Sequence, residues 1–320
     1  MIGPLIKRPL LVGLPMTAYQ TPPTPAEEFI ATMSDGVEIL CRRYSIGAGP
    51  CLVITHGNGF AIDGYRVFWE ALLDRFEVVL FDMRNHGRNA PSGADGHHYQ
   101  QLTRDIGSVN RAVRAKLAPG QAMVGVFHSM SARAAMKHAI ENGWNWHAMV
   151  LFDPPSMPPR SHRLYEVMRT FELKLIDWSC NRPDRFSSPE EMIQGFRESR
   201  AASRWLPQAI EDMGRAVVRP DGAGGWELAC RRELEAAIYL GALTLDLWPH
   251  ASKYGGPVKL IGADPAFKGN PPTGAANQAL AQENGHAYAF IPAAGHLLQI
   301  ERPEECRQSM LSFLAEHGIV

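Results

Sequence analysis

The stretch that most constrains how this chain can fold is Val124–Lys137, VGVFHSMSARAAMK. An apolar run ends at His128-Ser129, and an alanine-rich helical pattern begins directly after it. A serine at such a strand-to-helix corner sits on a sharp turn with its hydroxyl raised above the sheet edge, an arrangement called a nucleophile elbow. The same residues also fit a buried strand followed by a serine that caps a helix. The rest of the chain has to separate these two interpretations.

Short apolar segments alternate with helical patterns on both sides of this corner. The segments are CLVIT, FEVVLFD, AMVGVF and HAMVLFD in the first half, and PVKLIGAD and HAYAFIP near the end. Continuous apolar strands separated by helices are typical of a parallel sheet that is covered on both faces. The fold class predicted from this pattern is therefore α/β.

The alternation stops for about a hundred residues, which predicts an insertion. Residues 154–256 contain mainly helical, aromatic-containing segments with breakers such as RPDGAGG, and no convincing buried strand. We therefore expect an N-terminal arm (1–26), an α/β core (27–153 and 257–320) and a helical cap (154–256). The first residues resemble a signal peptide faintly, but Pro9 and Pro15 interrupt the apolar patch, so an arm is the preferred interpretation.

The composition excludes several classes of protein. The net charge is −1, so the chain has no basic surplus with which to neutralise a nucleic acid backbone. The chain contains no run of about 18 apolar residues, so no membrane span is predicted. The five cysteines show no paired spacing, which indicates reduced thiols and a cytoplasmic location rather than a disulfide framework or a metal site.

Three chemically useful side chains follow apolar strands in the order serine, aspartate, histidine. Ser129 follows AMVGVF, Asp264 follows VKLIGA, and His296 follows AYAFIPAAG. Function in open α/β sheets collects at the carboxyl ends of the strands. A serine needs a base to accept its proton, imidazole is suited to that role near neutral pH, and a carboxylate orients the imidazole. We therefore predict Ser129 as nucleophile and His296 as base.

The acid has two candidates. Asp264 in IGADPAF and Asp153 in VLFDPP both follow a strand directly, and one of them is expected to be a cap or turn former instead. Asp264 is preferred because it belongs to the first strand after the insertion.

An acyl-transfer site also needs N–H groups that bind a developing oxyanion. The amide of Met130 directly follows the nucleophile. A second amide is expected from the loop HGNGF, from Asn58 first, with Gly59 and Phe60 as alternatives. Gly59, Phe60 and His128 are also predicted to contact substrate.

Together these residues resemble the α/β-hydrolase superfamily, in its serine-nucleophile branch with a helical cap. The matching motifs are HGNGF, DMRNHGRN, HSMS, GADP and GHLLQIERPEE. The resemblance implies a mostly parallel eight-stranded sheet with helices on both faces. The chain departs from the family's usual Gly-x-Ser-x-Gly elbow, because Phe127 and Ser131 stand at the two glycine positions.

The predicted function is hydrolysis of a carboxylic ester without cofactor or metal, through an acyl-enzyme on Ser129. A lactone or thioester is also compatible, and the expected partner is a small, hydrophobic ester rather than a nucleic acid or a membrane. Two alternatives use the same fold. One is a C–C bond hydrolase or lyase, and the other is a non-catalytic protein that binds a small ligand. No oligomeric state is predicted.

Overall fold

The computed structural model describes residues 19–320, so most of the predicted N-terminal arm lies outside the described residues. The strands in chain order are β1 (Glu27–Thr32), β2 (Glu38–Tyr44), β3 (Cys51–Ile54), β4 (Glu77–Phe81), β5 (Met123–His128), β6 (Ala148–Phe152), β7 (Arg185–Phe186), β8 (Val218–Pro220), β9 (Trp226–Leu228), β10 (Val258–Gly262) and β11 (Ala287–Phe290). The helices are α1 (Arg66–Trp69), α2 (Tyr99–Arg114), α3 (Met130–Asn142), α4 (Tyr165–Asn181), α5 (Pro189–Glu198), α6 (Pro207–Ala216), α7 (Arg232–Ala242), α8 (Thr273–Asn284), α9 (Leu298–Glu301) and α10 (Pro303–Glu316).

Eight of these strands form one sheet in the order β1-β2-β4-β3-β5-β6-β10-β11. The pairs β1–β2 and β2–β4 are antiparallel, and the remaining pairs are parallel. The predicted mostly parallel, eight-stranded sheet is thus confirmed. Strand β5, which leads to Ser129, lies between β3 and β6, so the loops after all three strands meet at the same edge of the sheet.

The core has two layers, one on each face of the sheet. Along β3, Leu52 and Ile54 contribute to one buried cluster, and Cys51 and Val53 contribute to the other. Successive side chains in a strand point to opposite faces, so a continuous apolar strand indicates that both faces are covered. Helices α2, α3 and α8 supply apolar side chains to one layer, and α1, α9 and α10 supply them to the other.

The segment between β6 and β10 contains α4 to α7, as the helical patterns predict, but it also contains a small antiparallel sheet, β7-β9-β8. The sequence predicts no buried strand here, and these only partly buried strands escape the prediction for two reasons. These strands are only two or three residues long, too short to show periodicity. In addition, the breaker RPDGAGG is a hairpin loop, in which the Asp221 carboxylate accepts the N–H groups of Ala223 and Gly225.

Close packing beside β5 generates a stability prediction. A Cβ on Gly125 would lie 2.4 Å from the Phe127 ring, which is itself packed edge-on against Trp146. We expect Gly125→Ala to lower the free energy of unfolding by about 1–3 kcal/mol through overpacking. The matched control is Gly195→Ala in α5, where a Cβ meets nothing within 4 Å. That variant should gain about 0.5–1 kcal/mol from helix propensity. Urea unfolding measures both, and equal effects at the two positions would contradict the packing argument.

Candidate active site

Ser129 occupies a strained turn between β5 and α3. Its backbone has φ 53° and ψ −111°, a conformation that residues other than glycine rarely adopt. Its N–H donates to the carbonyl of Phe152 on β6 at 3.0 Å, which ties the turn to the neighbouring strand. Gly57 in the loop after β3 allows the close approach, since a Cβ there would lie 3.1 Å from the Ser129 Cβ. Strain of this kind persists where the surrounding structure enforces it, most often at functional sites.

The two departures from the usual elbow motif have separate explanations. The Phe127 side chain points away from the turn into the core, where it packs against Trp146 with ring centroids 5.4 Å apart. Ser131 braces the turn from inside, because its hydroxyl donates to the His128 carbonyl at 2.9 Å and accepts the His128 N–H at 3.0 Å. The sharp turn therefore forms without glycine at either position.

His296 lies in the loop between β11 and α9 and contacts both Ser129 and a carboxylate. Its Nε2 is 3.0 Å from the Ser129 Oγ, and its Nδ1 is 2.6 Å from Asp153 Oδ2. Because a carboxylate accepts only, Nδ1 carries the proton and Nε2 is free to accept the serine hydroxyl. The His296 side chain is 20% exposed and Asp153 is fully buried, so the site opens to solvent on the histidine side.

The Asp153 carboxylate is fully satisfied by four donors. Oδ1 accepts the Ala263 N–H at 3.0 Å and the Asn277 amide at 2.8 Å, and Oδ2 accepts the Thr273 hydroxyl at 2.6 Å as well as His296. Four hydrogen bonds hold this buried carboxylate in one orientation. Thr273 and Asn277 lie one turn apart on α8.

The expectation that Asp264 lies against His296 is wrong. The Asp264 carboxylate accepts the N–H groups of Ala266 at 2.9 Å and Ala293 at 2.8 Å, and these bonds lower its pKa. Asp264 is the turn former that the sequence analysis expected one of the two aspartates to be, and it fixes the loop that leads to His296. The second candidate, Asp153, is the one that contacts the imidazole.

The HGNGF loop leaves one backbone amide available beside the elbow. The Gly59 N–H donates to His86 Nε2 at 3.1 Å, and the Phe60 N–H donates to the Gly57 carbonyl at 3.3 Å. Within residues 19–320, the Asn58 N–H has no acceptor. Met130 is the first residue of α3, where N–H groups point out of the helix without an intrahelical partner. These are the two amides that the sequence analysis selects.

His128, which the sequence predicts to contact substrate, is buried within the protein. Its ring is fully buried, and both nitrogens bind protein atoms. Nδ1 accepts the Tyr65 hydroxyl at 2.7 Å, and Nε2 donates to the His296 carbonyl at 2.9 Å. The Tyr65 oxygen is also 3.4 Å from the Gly57 N–H. His128 and Tyr65 are thus positioning residues that connect the loops of Gly57, Ser129 and His296.

Three further buried histidines pack together at the HGNGF loop, of which His56 is the first residue. His56 and His86 have ring centroids 5.0 Å apart, and His86 stacks on His97 at 5.7 Å. Burial lowers the pKa of His56 to about 4 and the pKa values of His86 and His97 to about 3. The segment DMRNHGRN therefore has a structural role, as its His86 accepts the N–H of Gly59.

Buried ion pairs join the inserted segment to the core around Ser129. Arg133, one turn after Ser129 on α3, binds Glu172 of α4 and the Pro155 carbonyl. Burial raises the pKa of Glu172, and the adjacent guanidinium opposes this. On the other side, the side-chain amide of Asn58 donates to the backbone carbonyl of Glu235 at 2.8 Å. The inserted segment therefore contacts both the elbow helix and the HGNGF loop.

Several residues of the site escaped sequence analysis. Thr273, Asn277 and Tyr65 lie within or beside helices whose patterns carry no motif, and Arg133 reads as an ordinary helix residue. Asp153 carried one usable signal, since VLFD places it directly after a wholly apolar strand. Within residues 19–320, no group of three or more His, Cys, Asp or Glu side chains could hold a metal ion.

Comparison with known proteins is consistent with this architecture. The model of the alpha/beta hydrolase family matches residues 52–308. Protein phosphatase methylesterase 1 of Rattus norvegicus is 28% identical over 130 residues, which cover 38% of this chain and 33% of that protein. The human protein of the same name matches to the same extent. The match therefore spans about a third of the length of these curated relatives.

Solved structures share the fold over most of the chain. E-2-(acetamidomethylene)succinate hydrolase aligns with a TM-score of 0.72 at 18% identity, covering 90% of this chain and 99% of that one. A malate-bound esterase from Thermogutta terrifontis aligns with a TM-score of 0.65 at 20% identity, covering 91% and 99%. The enol-lactonase from Burkholderia xenovorans aligns with a TM-score of 0.63 at 16% identity, covering 90% and 100%. Among the described helices, none combines the length and apolar character needed to cross a membrane.

The buried histidines predict acid-sensitive stability. His97 has a folded-state pKa of about 3 against an unfolded value of 6.5, so acid protonates the unfolded chain first. Stability contributed by the neutral ring is complete above pH 6.5 and is lost progressively as the pH falls toward 3. At pH 5, protonation of the unfolded chain at His97 lowers the free energy of unfolding by about 2 kcal/mol. Between pH 7 and pH 5, the free energy of unfolding of His97→Phe, measured with urea, should fall by about 2 kcal/mol less than that of the parent protein. Equal losses in both proteins would contradict a neutral buried His97.

Proposed function

Because the chain belongs to the α/β-hydrolase family, we propose that it hydrolyses a carboxylic ester through Ser129, His296 and Asp153. The observation that carries this proposal is the continuous hydrogen-bonded connection from the Ser129 hydroxyl through the His296 ring to the buried Asp153 carboxylate. Nucleophile, base and orienting acid are thus within reach of one another in the order that acyl transfer requires.

The first half of the reaction forms an acyl-enzyme. Ser129 Oγ attacks the ester carbonyl carbon while His296 Nε2 accepts the hydroxyl proton. Asp153 remains ionised, keeps the proton of the neutral ring on Nδ1 and stabilises the imidazolium. His296 then returns its proton to the alcohol oxygen as the C–O bond breaks, and the alcohol leaves.

The carbonyl oxygen becomes negative in the tetrahedral intermediate and needs N–H donors. We assign this role to the backbone amides of Asn58 and Met130, which flank the Ser129 turn. The free Asn58 N–H supports the assignment, because the neighbouring amides of Gly59 and Phe60 are already engaged. One such donor typically contributes about a hundred- to a thousandfold to turnover.

The second half of the reaction regenerates the serine. A water molecule enters on the exposed side of His296, gives a proton to Nε2 and attacks the acyl carbonyl. The carboxylic acid then leaves as Ser129 recovers its proton from His296. Every proton transfer in this mechanism uses the same nitrogen, His296 Nε2.

We further propose that residues 154–256 form a cap over this site and that the ester is partly apolar. Phe60 of the HGNGF loop packs edge-on against Trp205 of the inserted segment, with ring centroids 5.9 Å apart. Trp205 also contacts Phe196 at 5.0 Å. Apolar walls with few polar groups are usual for a site that binds a small organic substrate. Ser129 is only 5% exposed, as expected beneath a cap.

The names of related proteins also favour hydrolysis of an ester or a lactone. The curated relatives are methylesterases, and the similar structures include an esterase and an enol-lactonase. Each of these names refers to an ester or a lactone, which a serine nucleophile attacks by the same steps. Lactones and thioesters are accordingly included in the proposed substrate class.

Removing the nucleophile provides the direct test. We expect Ser129→Ala to lower kcat for 4-nitrophenyl butyrate by at least about 10⁴-fold and to abolish labelling by a fluorophosphonate. Ser312→Ala is the matched control, because Ser312 is an exposed serine on α10 and should leave both readouts unchanged. Full activity in Ser129→Ala would exclude the proposed mechanism.

The two aspartates predict a clear contrast. Asp153→Asn should lower kcat by about 10³–10⁴-fold, because an amide stabilises the wrong imidazole tautomer. Asp264→Asn weakens only a turn. It should therefore lower the free energy of unfolding by about 1 kcal/mol and lower kcat by less than tenfold. Steady-state kinetics and circular dichroism on both variants decide the matter. A folded Asp264→Asn protein as inactive as Asp153→Asn would show that Asp264 is the acid.

A further inference from the structure

Arg204 of the inserted segment lies directly beside the loop that carries His296. It sits between α5 and α6, and its Nε donates to Glu301 Oε2 at 2.9 Å. The guanidinium also lies over the Phe267 ring, 5.1 Å from its centroid. The Arg204 side chain is 33% exposed, so solvent and solutes can reach it.

Gly295 shows how close this guanidinium comes to His296. A Cβ on Gly295 would lie only 2.0 Å from Arg204 Nη2, so any larger residue would displace the arginine. Glu301 Oε2 also accepts the Gly295 N–H, at 2.6 Å. One carboxylate thus holds both the guanidinium and the residue that precedes the proposed base.

The outer edge of the Arg204 guanidinium is unused. Within residues 19–320, Nη1 and Nη2 donate to no acceptor, and only Nε is engaged. Arg133 and Arg182, which also lie near the site, are more deeply buried, with side chains that are 2% and 10% exposed. Arg133 is buried against Glu172 and the Pro155 carbonyl, and the Nη1 of Arg182 binds Glu235 at 2.8 Å. Of these three arginines, Arg204 has the most exposed guanidinium, and both of its Nη groups lack an acceptor within the described residues.

A free fork of this kind is suited to one ligand chemistry in particular. The Nη1 and Nη2 groups are coplanar and present parallel N–H bonds, which match the two oxygens of a carboxylate. The Phe267 ring and Glu301 hold the guanidinium in one orientation, so little conformational entropy is lost when a ligand binds. A hydrocarbon tail would leave these donors without partners.

We propose that Arg204 binds a free carboxylate on the substrate, so that the preferred substrates are esters that carry a second, unesterified carboxyl group. This inference rests on the proposed ester hydrolysis and specifies its substrate class. Arg204 then determines specificity, whereas Ser129, His296 and Asp153 perform the bond cleavage.

A purely structural role for Arg204, as a clamp on Glu301, makes a different prediction. Loss of a clamp would disturb the His296 loop and slow all esters by the same factor. Loss of a carboxylate-binding group would slow only the charged member of a matched pair. The ratio of kcat/KM values within a pair therefore separates the two roles, whatever happens to overall activity.

The test uses two matched substrate pairs. The acyl-side pair is 4-nitrophenyl hexanoate and mono-4-nitrophenyl adipate, and the alcohol-side pair is phenyl acetate and 4-carboxyphenyl acetate. Arg204→Met removes the charge, and Arg204→Lys keeps the charge but removes the fork. Arg200→Met is the control, because Arg200 is exposed in the same segment and its side chain makes no hydrogen bond or ion pair within the described residues.

We expect the parent protein to prefer the carboxylate-bearing member of at least one pair by tenfold or more in kcat/KM. That preference should fall at least tenfold in Arg204→Met, recover partly in Arg204→Lys and stay within twofold of the parent in Arg200→Met. A parent protein without a preference in either pair, or a preference that Arg204→Met retains, overturns the inference.

A binding measurement keeps this inference separate from the proposed function. If the parent protein cleaves none of the four esters, ester hydrolysis is excluded and isothermal titration with adipate decides the role of Arg204. Binding to the parent and Arg200→Met proteins, but tenfold or more weaker binding to Arg204→Met, supports a carboxylate site. No adipate binding to the parent, or equal binding to all three proteins, overturns it.

Discussion

The candidate site depends on the hydrogen bonding of one buried carboxylate, Asp153. Moving an ionised carboxylate out of water is costly unless its oxygens receive donors from the protein. Here the donors come from the end of β10, from two positions on α8, and from His296. These elements belong to the part of the chain beyond residue 257, whereas Asp153 ends the part before the insertion. The carboxylate is therefore satisfied only when the two halves of the core are assembled, and assembly orients His296 toward Ser129.

A second buried histidine, His128, lies directly beside His296. The ring of His128 lies 4.8 Å from that of His296, and burial together with the adjacent His296 keeps the pKa of His128 well below its usual value. His128 is therefore a neutral neighbour of the His296 ring. Through Tyr65 it also holds the Gly57 loop in register with the elbow. The HGNGF and HSMS motifs are thus physically connected rather than merely adjacent at the sheet edge.

The inserted segment is attached to the core by buried contacts, and we propose that it also recognises the substrate. Buried ion pairs such as Arg133–Glu172 hold it over the elbow, and removal of one partner would leave an uncompensated buried charge. Arg182 and Glu235 form a second pair within the insertion, beside Gly59. Because the side chains of these two arginines are buried against carboxylates of the protein, they are poorly suited to bind a substrate anion. Arg204, held by its Nε alone, retains the capacity to do so.

The amino-acid sequence alone was sufficient to predict the α/β sheet, its two covered faces and the positions of Ser129 and His296 at strand ends. These features follow from local patterns, because continuous apolar strands and a strand-to-helix corner are properties of neighbouring residues. The sequence favours Asp264 over Asp153, whereas Asp153 is the aspartate that contacts His296. Both follow a strand, and only their partners on α8 and in the loop of residues 293–296 distinguish them. The role of His128, the small sheet of the insertion and the free edge of Arg204 likewise depend on residues far apart along the chain. Those partners are decided by tertiary packing, which no local pattern encodes.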